Sequence, residues 1–261
     1  MKYNYHAHTP RCSHATGTPE EYVLRALEGK MTHIGFSDHC PLQFDDGYQT
    51  YWKVPVEEGG DYCNEIAALR DKYRDKIDIK IGFEMEYYPA LFPKTFKKVI
   101  GYGAEYLILG QHFISPDMEH PGYVHTVVGT NSLERLIGYT DVVCSAIKTG
   151  VFTYVAHPDI FNFTGESKLY QRYMRKICEA SLEYNTPLEI NLLGIRQKRN
   201  YPNEEFWHLA AEVGAPVVFG ADAHTAPDVY DADSISKAKK MVKDFGLNYI
   251  GRPKIIDIRE I

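Results

Sequence analysis

A chain of 261 residues with 44% hydrophobic and 25% charged positions can bury a substantial core as one α/β domain, and a second domain is not required. Its formal net charge of −6 excludes broad, sequence-independent nucleic-acid binding, which relies on basic surface. No apolar run reaches membrane-spanning length and the first residues carry no signal-peptide pattern, so the expected location is the cytoplasm. Five widely spaced cysteines without a C-x-x-C pair give neither a disulfide framework nor a zinc ribbon, although Cys12 and Cys40 stand near histidines.

In chain order, Met1 to Tyr5 suits a short strand, and His6 and His8 follow it two residues apart. In extended backbone such residues project to one face, so both imidazoles can converge on one point. Thr18-Pro19-Glu20-Glu21 opens a helix with a capping threonine and proline at the first helical position. His33 to His39 reads as a second strand ending in Asp38-His39, followed by a long aromatic connection from Cys40 to Glu58. A helix over 57–74 leads to a third strand, Ile77 to Met85, with Glu84 at its end. A helix over 92–100 precedes a fourth strand, Tyr106 to His112, and a second long connection over 113–130. Helix 132–148, strand 152–159 ending in His157-Pro158-Asp159, and helix 168–184 follow. A sixth strand, Pro187 to Leu193, carries no metal-ligand type at its end but leads into Arg196, Lys198 and Arg199. After helix 203–213, a seventh strand ends Gly220-Ala221-Asp222-Ala223-His224, then come a helix over 234–245 and a tail that can add a closing strand.

Alternating strands and helices imply a parallel sheet. Polar residues end nearly every strand, and a barrel gathers strand ends around one mouth, whereas an open sheet spreads them along a line. The expected fold is therefore a distorted TIM-like (β/α)7 barrel, one domain over 1–261, with a metal site at the C-terminal ends of the strands.

The ligand candidates are His6, His8, His14, His39, Glu84, His112, His157, Asp222 and His224, which use seven of the eleven histidines. His33, His120, His125 and His208 read as scattered over helices and surface loops. Nine ligands exceed what one ion can coordinate, so two or three divalent ions are expected, with the two oxygens of Glu84 suited to a bridge.

His6-x-His8 with His14, Asp38-His39, Glu84, His112, His157-Pro158 and Asp222-Ala223-His224 resembles the polymerase and histidinol phosphatase (PHP) superfamily. Gly82-Phe83-Glu84-Met85-Glu86-Tyr87 and Leu109-Gly110-Gln111-His112-Phe113 are most similar to its histidinol-phosphatase branch. The resemblance implies a trinuclear centre of zinc, manganese or iron. His6, His8, Glu84 and Asp222 would hold one ion, Glu84, His112 and His157 a second, and His14, His39 and His224 a third. His14 stands where aspartate is common elsewhere in the superfamily.

Clustered dications lower the pKa of a water and neutralise charge on phosphoryl oxygens. The implied activity is hydrolysis of a small phosphate monoester, L-histidinol phosphate, by in-line attack of a metal hydroxide without a phosphoenzyme. Glu84, Asp38 and Asp159 are the candidate catalytic residues, the two aspartates orienting imidazoles or relaying a proton. Arg196 and Arg199 are candidate phosphate contacts. Phe44, Tyr48 and Trp52 are candidates for covering an imidazole, and Glu119 for meeting an ammonium group. Cys12 lacks a Cys-x5-Arg loop, and no Walker loop is present. The alternatives are a PHP phosphoesterase for a nucleoside phosphate, phosphotyrosyl peptide or phosphodiester, an amidohydrolase, an HD-type phosphohydrolase, and a non-catalytic metal-binding module. No pattern in the sequence specifies an oligomeric state.

Overall fold

The computed structural model describes residues 1–44, 46–116 and 124–261. Its strands form one parallel sheet in chain order: β1 (Tyr3–Asn4), β2 (His33–His39), β3 (Asp78–Met85), β4 (Tyr106–Leu109), β5 (Phe152–Val155), β6 (Leu188–Asn191), β7 (Pro216–Gly220) and β8 (Asn248–Tyr249). Between and after them lie α1 (Pro19–Glu28), α2 (Gly59–Tyr73), α3 (Phe92–Tyr102), α4 (Leu133–Lys148), α5 (Ser167–Tyr184), α6 (Leu192–Gln197), α7 (Glu204–Val213) and α8 (Ala232–Phe245). Strands such as β4 and β7 are buried at every residue, as expected where helices cover a parallel sheet. Among the described residues, no helix is long and apolar enough to cross a membrane.

Helix starts follow local chemistry. Thr18 and Glu21 form a reciprocal capping box at α1, Asn203 Oδ1 accepts Glu205 N at 2.9 Å at α7, and Asp231 Oδ1 accepts Asp233 N at 3.1 Å at α8. One expected boundary moves. The sixth strand stops at Asn191, whose Oδ1 accepts Gly194 N at 2.9 Å and caps α6. Arg196 therefore lies on a helix rather than in a loop.

The sheet curls until its ends meet. Ala7 and Ala223 form a parallel bridge, with His8 N donating to Ala223 O at 2.9 Å and Ala223 N to His6 O at 3.2 Å. Below that bridge, side chains replace the ladder. Asn4 Oδ1 accepts His6 N at 3.1 Å and Ala221 N at 2.9 Å, while Tyr3 Oη accepts Phe219 N at 3.1 Å. The expected closing tail is β8, an eighth strand that pairs only with Pro216 and Val217 at the start of β7. The free edge of β7 is thus shared between β8 at its base and the extension of β1 at its top.

Candidate metal centre

Alternation along the strands builds the site in two layers. Tyr3, Tyr5, Tyr106, Ile108, Tyr154 and Val218 form a buried apolar cluster inside the sheet, distinct from the core between sheet and helices. Two and four residues beyond Ile108 on the same face come Gly110 and His112, and beyond Val218 come Gly220 and Asp222. Glu84 and Glu189 stand in register with Ile108 and Val218, and their side chains reach past Gly110 and Gly220 toward the rim. An apolar floor thus underlies a chargeable rim.

Glu84, 1% exposed, is the hub of that rim. Its Oε2 lies 3.0 Å from His39 Nδ1, 3.6 Å from His6 Nε2 and 3.7 Å from His8 Nε2. Its Oε1 lies 2.8 Å from His157 Nε2 and 3.6 Å from His112 Nε2. Asp222 Oδ1 is 3.2 Å from His8 Nε2, 3.6 Å from His6 Nε2 and 3.4 Å from His224 Nδ1. His14 sits at the rim, its ring 4.8 Å from that of His224 and 5.1 Å from that of His39. The His8 ring also approaches those of His39 (4.4 Å) and His224 (4.2 Å), so the nine residues form one continuous cluster. His157 and Asp222 adopt φ of 30° and 47°, strained values for side-chain-bearing residues that concentrate at functional sites.

Carboxylates outside the cluster fix the imidazoles. His6 Nδ1 lies 3.0 Å from both oxygens of Glu189, His8 Nδ1 3.3 Å from Asp38 Oδ1, and His112 Nδ1 2.7 Å from Glu86 Oε1. With Nδ1–H donating, each Nε2 is turned inward, where it can bind metal once it is deprotonated. Among the described residues, His6 Nε2, His8 Nε2, His39 Nδ1 and Glu84 Oε2 are buried without a well-aligned hydrogen bond, although the three nitrogens stand 3.0–3.7 Å from that oxygen. Polar atoms so placed are costly to bury, and here they converge, as a bound cation requires. Groups such as His6–His8–Asp222, His6–Glu84–His157 and His8–His39–His224 each bring their ligand atoms within 4.8 Å of one another. The donor set fits divalent metal.

Charge follows the same division. Burial lowers His6, but Glu189, Asp222 and Glu84 outweigh it and raise the group to about 10. Burial likewise opposes, and neighbouring carboxylates reverse, the shifts of His8 and His157, which are both raised. Burial dominates at His39, held well below its usual value, and at His112 and His224, each lowered to about 3. Burial would raise Glu84 and Asp222, but the surrounding imidazoles hold both carboxyls well below the usual range.

A cavity of about 400 Å³ opens over the cluster. Tyr51, Trp52, His125, Arg199 and Tyr201 are among its walls. Arg199 is a wall residue, as a phosphate contact must be, and its Nη1 donates to Tyr201 Oη at 2.9 Å. Arg196 is turned away from the cavity. It donates to the carbonyls of Ala221 (2.8 Å) and Asp222 (3.2 Å) and pairs with Asp228 at 3.1 Å, so it ties down the segment after β7. Asp38 orients His8 and also accepts Thr9 N at 2.9 Å and His39 N at 2.8 Å. Asp159, by contrast, orients no imidazole among the described residues: its Oδ2 accepts Asn203 N at 2.6 Å and Trp207 Nε1 at 2.9 Å, anchoring α7. Burial raises its carboxyl to about 6. Phe44 and Tyr48 pack on each other and beside Leu42, Tyr88 and Leu91, leaving Trp52 as the cavity wall of that trio. Glu119 lies outside the described residues.

Sequence reasoning missed Glu189, Glu86 and His125. A buried glutamate in the middle of an apolar strand was a signal for Glu189, and the repeat Glu84-x-Glu86 on one strand face was a signal for Glu86. His125 carried none. It stands 5.3 Å from the His112 ring and 5.1 Å from the Phe113 ring, and burial lowers it to about 3.

Parallel strands curled into a barrel, with imidazoles and carboxylates converging at their carboxyl ends, define an α/β barrel protein with a divalent-metal centre. Residues 4–192 match the model of the PHP domain, and the chain belongs to that family. A Deinococcus radiodurans protein named "Probable histidinol-phosphatase" is 29% identical over 250 residues, covering 92% of each chain. The histidinol-phosphatase of Bacillus subtilis is 27% identical over 260 residues, covering 88% of this chain and 96% of its own. Among solved structures, the histidinol phosphate phosphatase of Lactococcus lactis, complexed with zinc, L-histidinol and phosphate, superposes with a TM-score of 0.74. It is 20% identical, with 98% of this chain and 97% of that one covered.

Proposed function

We propose that this protein is a metal-dependent phosphomonoesterase that hydrolyses L-histidinol phosphate to L-histidinol and phosphate. The observation that carries the reading is the convergence of buried His6 Nε2, His8 Nε2 and His39 Nδ1 on Glu84 Oε2 beneath a cavity that Arg199 also lines. The substrate is supported by the full-length similarity to proteins named as histidinol-phosphatases.

His6, His8, Glu84 and Asp222 would hold one ion, Glu84, His112 and His157 a second, and His14, His39 and His224 a third. Zinc, manganese and iron all suit imidazole and carboxylate donors. Bound divalent ions supply charge for the phosphoryl oxygens and a lowered pKa for water. The protein's own contribution is orientation. Glu189, Asp38 and Glu86 keep the proton of His6, His8 and His112 on Nδ1. Arg199 meets the phosphate from the wall, where its guanidinium can donate two parallel hydrogen bonds. Trp52 and His125, both walls of the cavity, enclose the leaving alcohol. Water attacks phosphorus opposite the departing alcohol oxygen, so no phosphoenzyme forms. Cys12 is not a nucleophile in this scheme, since it is buried and its thiol donates to Thr9 O at 3.1 Å. A single domain over 1–261 and a cytoplasmic location complete the proposal.

The test is phosphate release by metal-reconstituted protein from L-histidinol phosphate, a nucleoside monophosphate, a phosphotyrosyl peptide and a phosphodiester. A kcat/KM clearly highest for L-histidinol phosphate is expected. Weak, even rates on the monoesters would remove the substrate assignment, and cleavage of the diester alone would make the protein a nuclease.

A further inference from the structure

One buried ion pair stands beside the ligand cluster without belonging to it. Lys53, in the connection between β2 and α2, is 2% exposed and pairs with Glu86, just beyond β3 and 6% exposed. Glu86 divides its two oxygens. Oε2 accepts from Lys53 Nζ, and Oε1 faces His112 Nδ1 at 2.7 Å. Lys53 Nζ also lies 4.4 Å from the centroid of the Trp52 ring. That ring in turn meets His39 edge-on at 4.9 Å and His112 at 5.4 Å. The backbone next to this pair is docked as well, with Val54 N donating to His39 O at 3.2 Å.

Burying an ammonium and a carboxylate is costly, and an apolar pair of similar volume would close the same space with less penalty. What the ion pair adds is geometry. A carboxylate held at one oxygen cannot rotate away from the imidazole that its other oxygen accepts. The residue that holds it is also joined through one peptide bond to the aromatic wall of the cavity.

We infer that Lys53 is a positioning residue: by clamping Glu86 it sets the His112 ring for metal and, in the same contact, seats Trp52 as the cavity wall. The inference rests on the metal-centre reading and adds to it a mechanical link between the 40–58 connection and one ligand. Lys53→Met removes the pair and keeps the length of the side chain. Lys53→Gln keeps a neutral donor. Three quantities are measured for each and for the wild type: zinc retained against a graded chelator, KM and kcat for phosphate release, and the melting temperature.

The expected result for Lys53→Met is weaker retention of one ion by roughly 10–100-fold, the usual effect of removing an outer partner of a ligand, together with a raised KM. Lys53→Gln should fall between it and the wild type. A purely structural lysine would lower the melting temperature and move neither retention nor KM, and that outcome overturns the inference. Should Lys53→Met fail to fold, a folded Lys53→Gln with unchanged retention and KM overturns it equally. Wild-type protein that retains none of zinc, manganese or iron would instead remove the metal-centre reading itself, whereas wild-type retention matched by Lys53→Met removes Lys53 alone.

Discussion

Glu189 on β6 and His6 beyond β1 are 183 residues apart in sequence, yet His6 Nδ1 lies 3.0 Å from both Glu189 oxygens in a fully buried contact. This carboxylate fixes the tautomer of the first ligand candidate and makes it a stronger donor. Glu189→Gln keeps the volume and an acceptor but removes the charge. Metal affinity should fall by about 10–100-fold with the fold retained, read by competition with a coloured chelator. Unchanged affinity would show that the pair only packs the barrel.

Gly110 is placed so that a β-carbon there would lie 2.0 Å from Glu84 Oε1. Nothing bulkier than hydrogen fits between β4 and the hub carboxylate. Gly110→Ala should therefore displace Glu84 and lower metal content, in addition to a stability loss of about 1–3 kcal/mol from overpacking. Metal analysis alongside a thermal melt checks both, and full metal content would contradict the hub role of Glu84.

Protons compete with metal for the cluster. His6, raised from its ordinary 6.5 to about 10 in the metal-free protein, binds its proton more tightly when folded. Its contribution to metal-free stability is therefore complete below about 6.5 and is lost as pH rises through about 10. Metal must displace that proton, so uptake near neutral pH should release protons and apparent affinity should fall toward acid pH. Calorimetry in two buffers of different ionisation enthalpy measures the release. Identical heats in both buffers would mean that His6 is neutral before metal arrives.

The two arginines should separate cleanly. Arg199→Ala is expected to raise KM for a phosphomonoester about 10–100-fold, the worth of a charge-assisted contact, while metal content and melting temperature hold. Arg196→Ala removes bonds to Ala221 O and Asp222 O and the pair with Asp228. It should lower the melting temperature and loosen metal through Asp222. An unchanged KM in Arg199→Ala would take that residue out of the site.

Much of this was legible in one dimension. His6-x-His8, Asp38-His39, Glu84, His112, His157 and Asp222-x-His224 stand out as candidates because strand periodicity is local and metal binding needs few side-chain types. Seven strands and a closing tail could be read from the same alternation, and the tail became β8. Glu189 does not stand out in the sequence because it sits inside the apolar run of the sixth strand rather than after it. Tertiary structure alone decided the partners: that Glu189 meets His6, that Glu86 is shared by His112 and Lys53, that Asp159 anchors α7, and that Arg199 rather than Arg196 faces the cavity. Such pairings are set at separations of about 3 Å between segments far apart in the chain. They follow from how the sheet curls and closes at Ala7 and Ala223, and no local pattern of residues contains that.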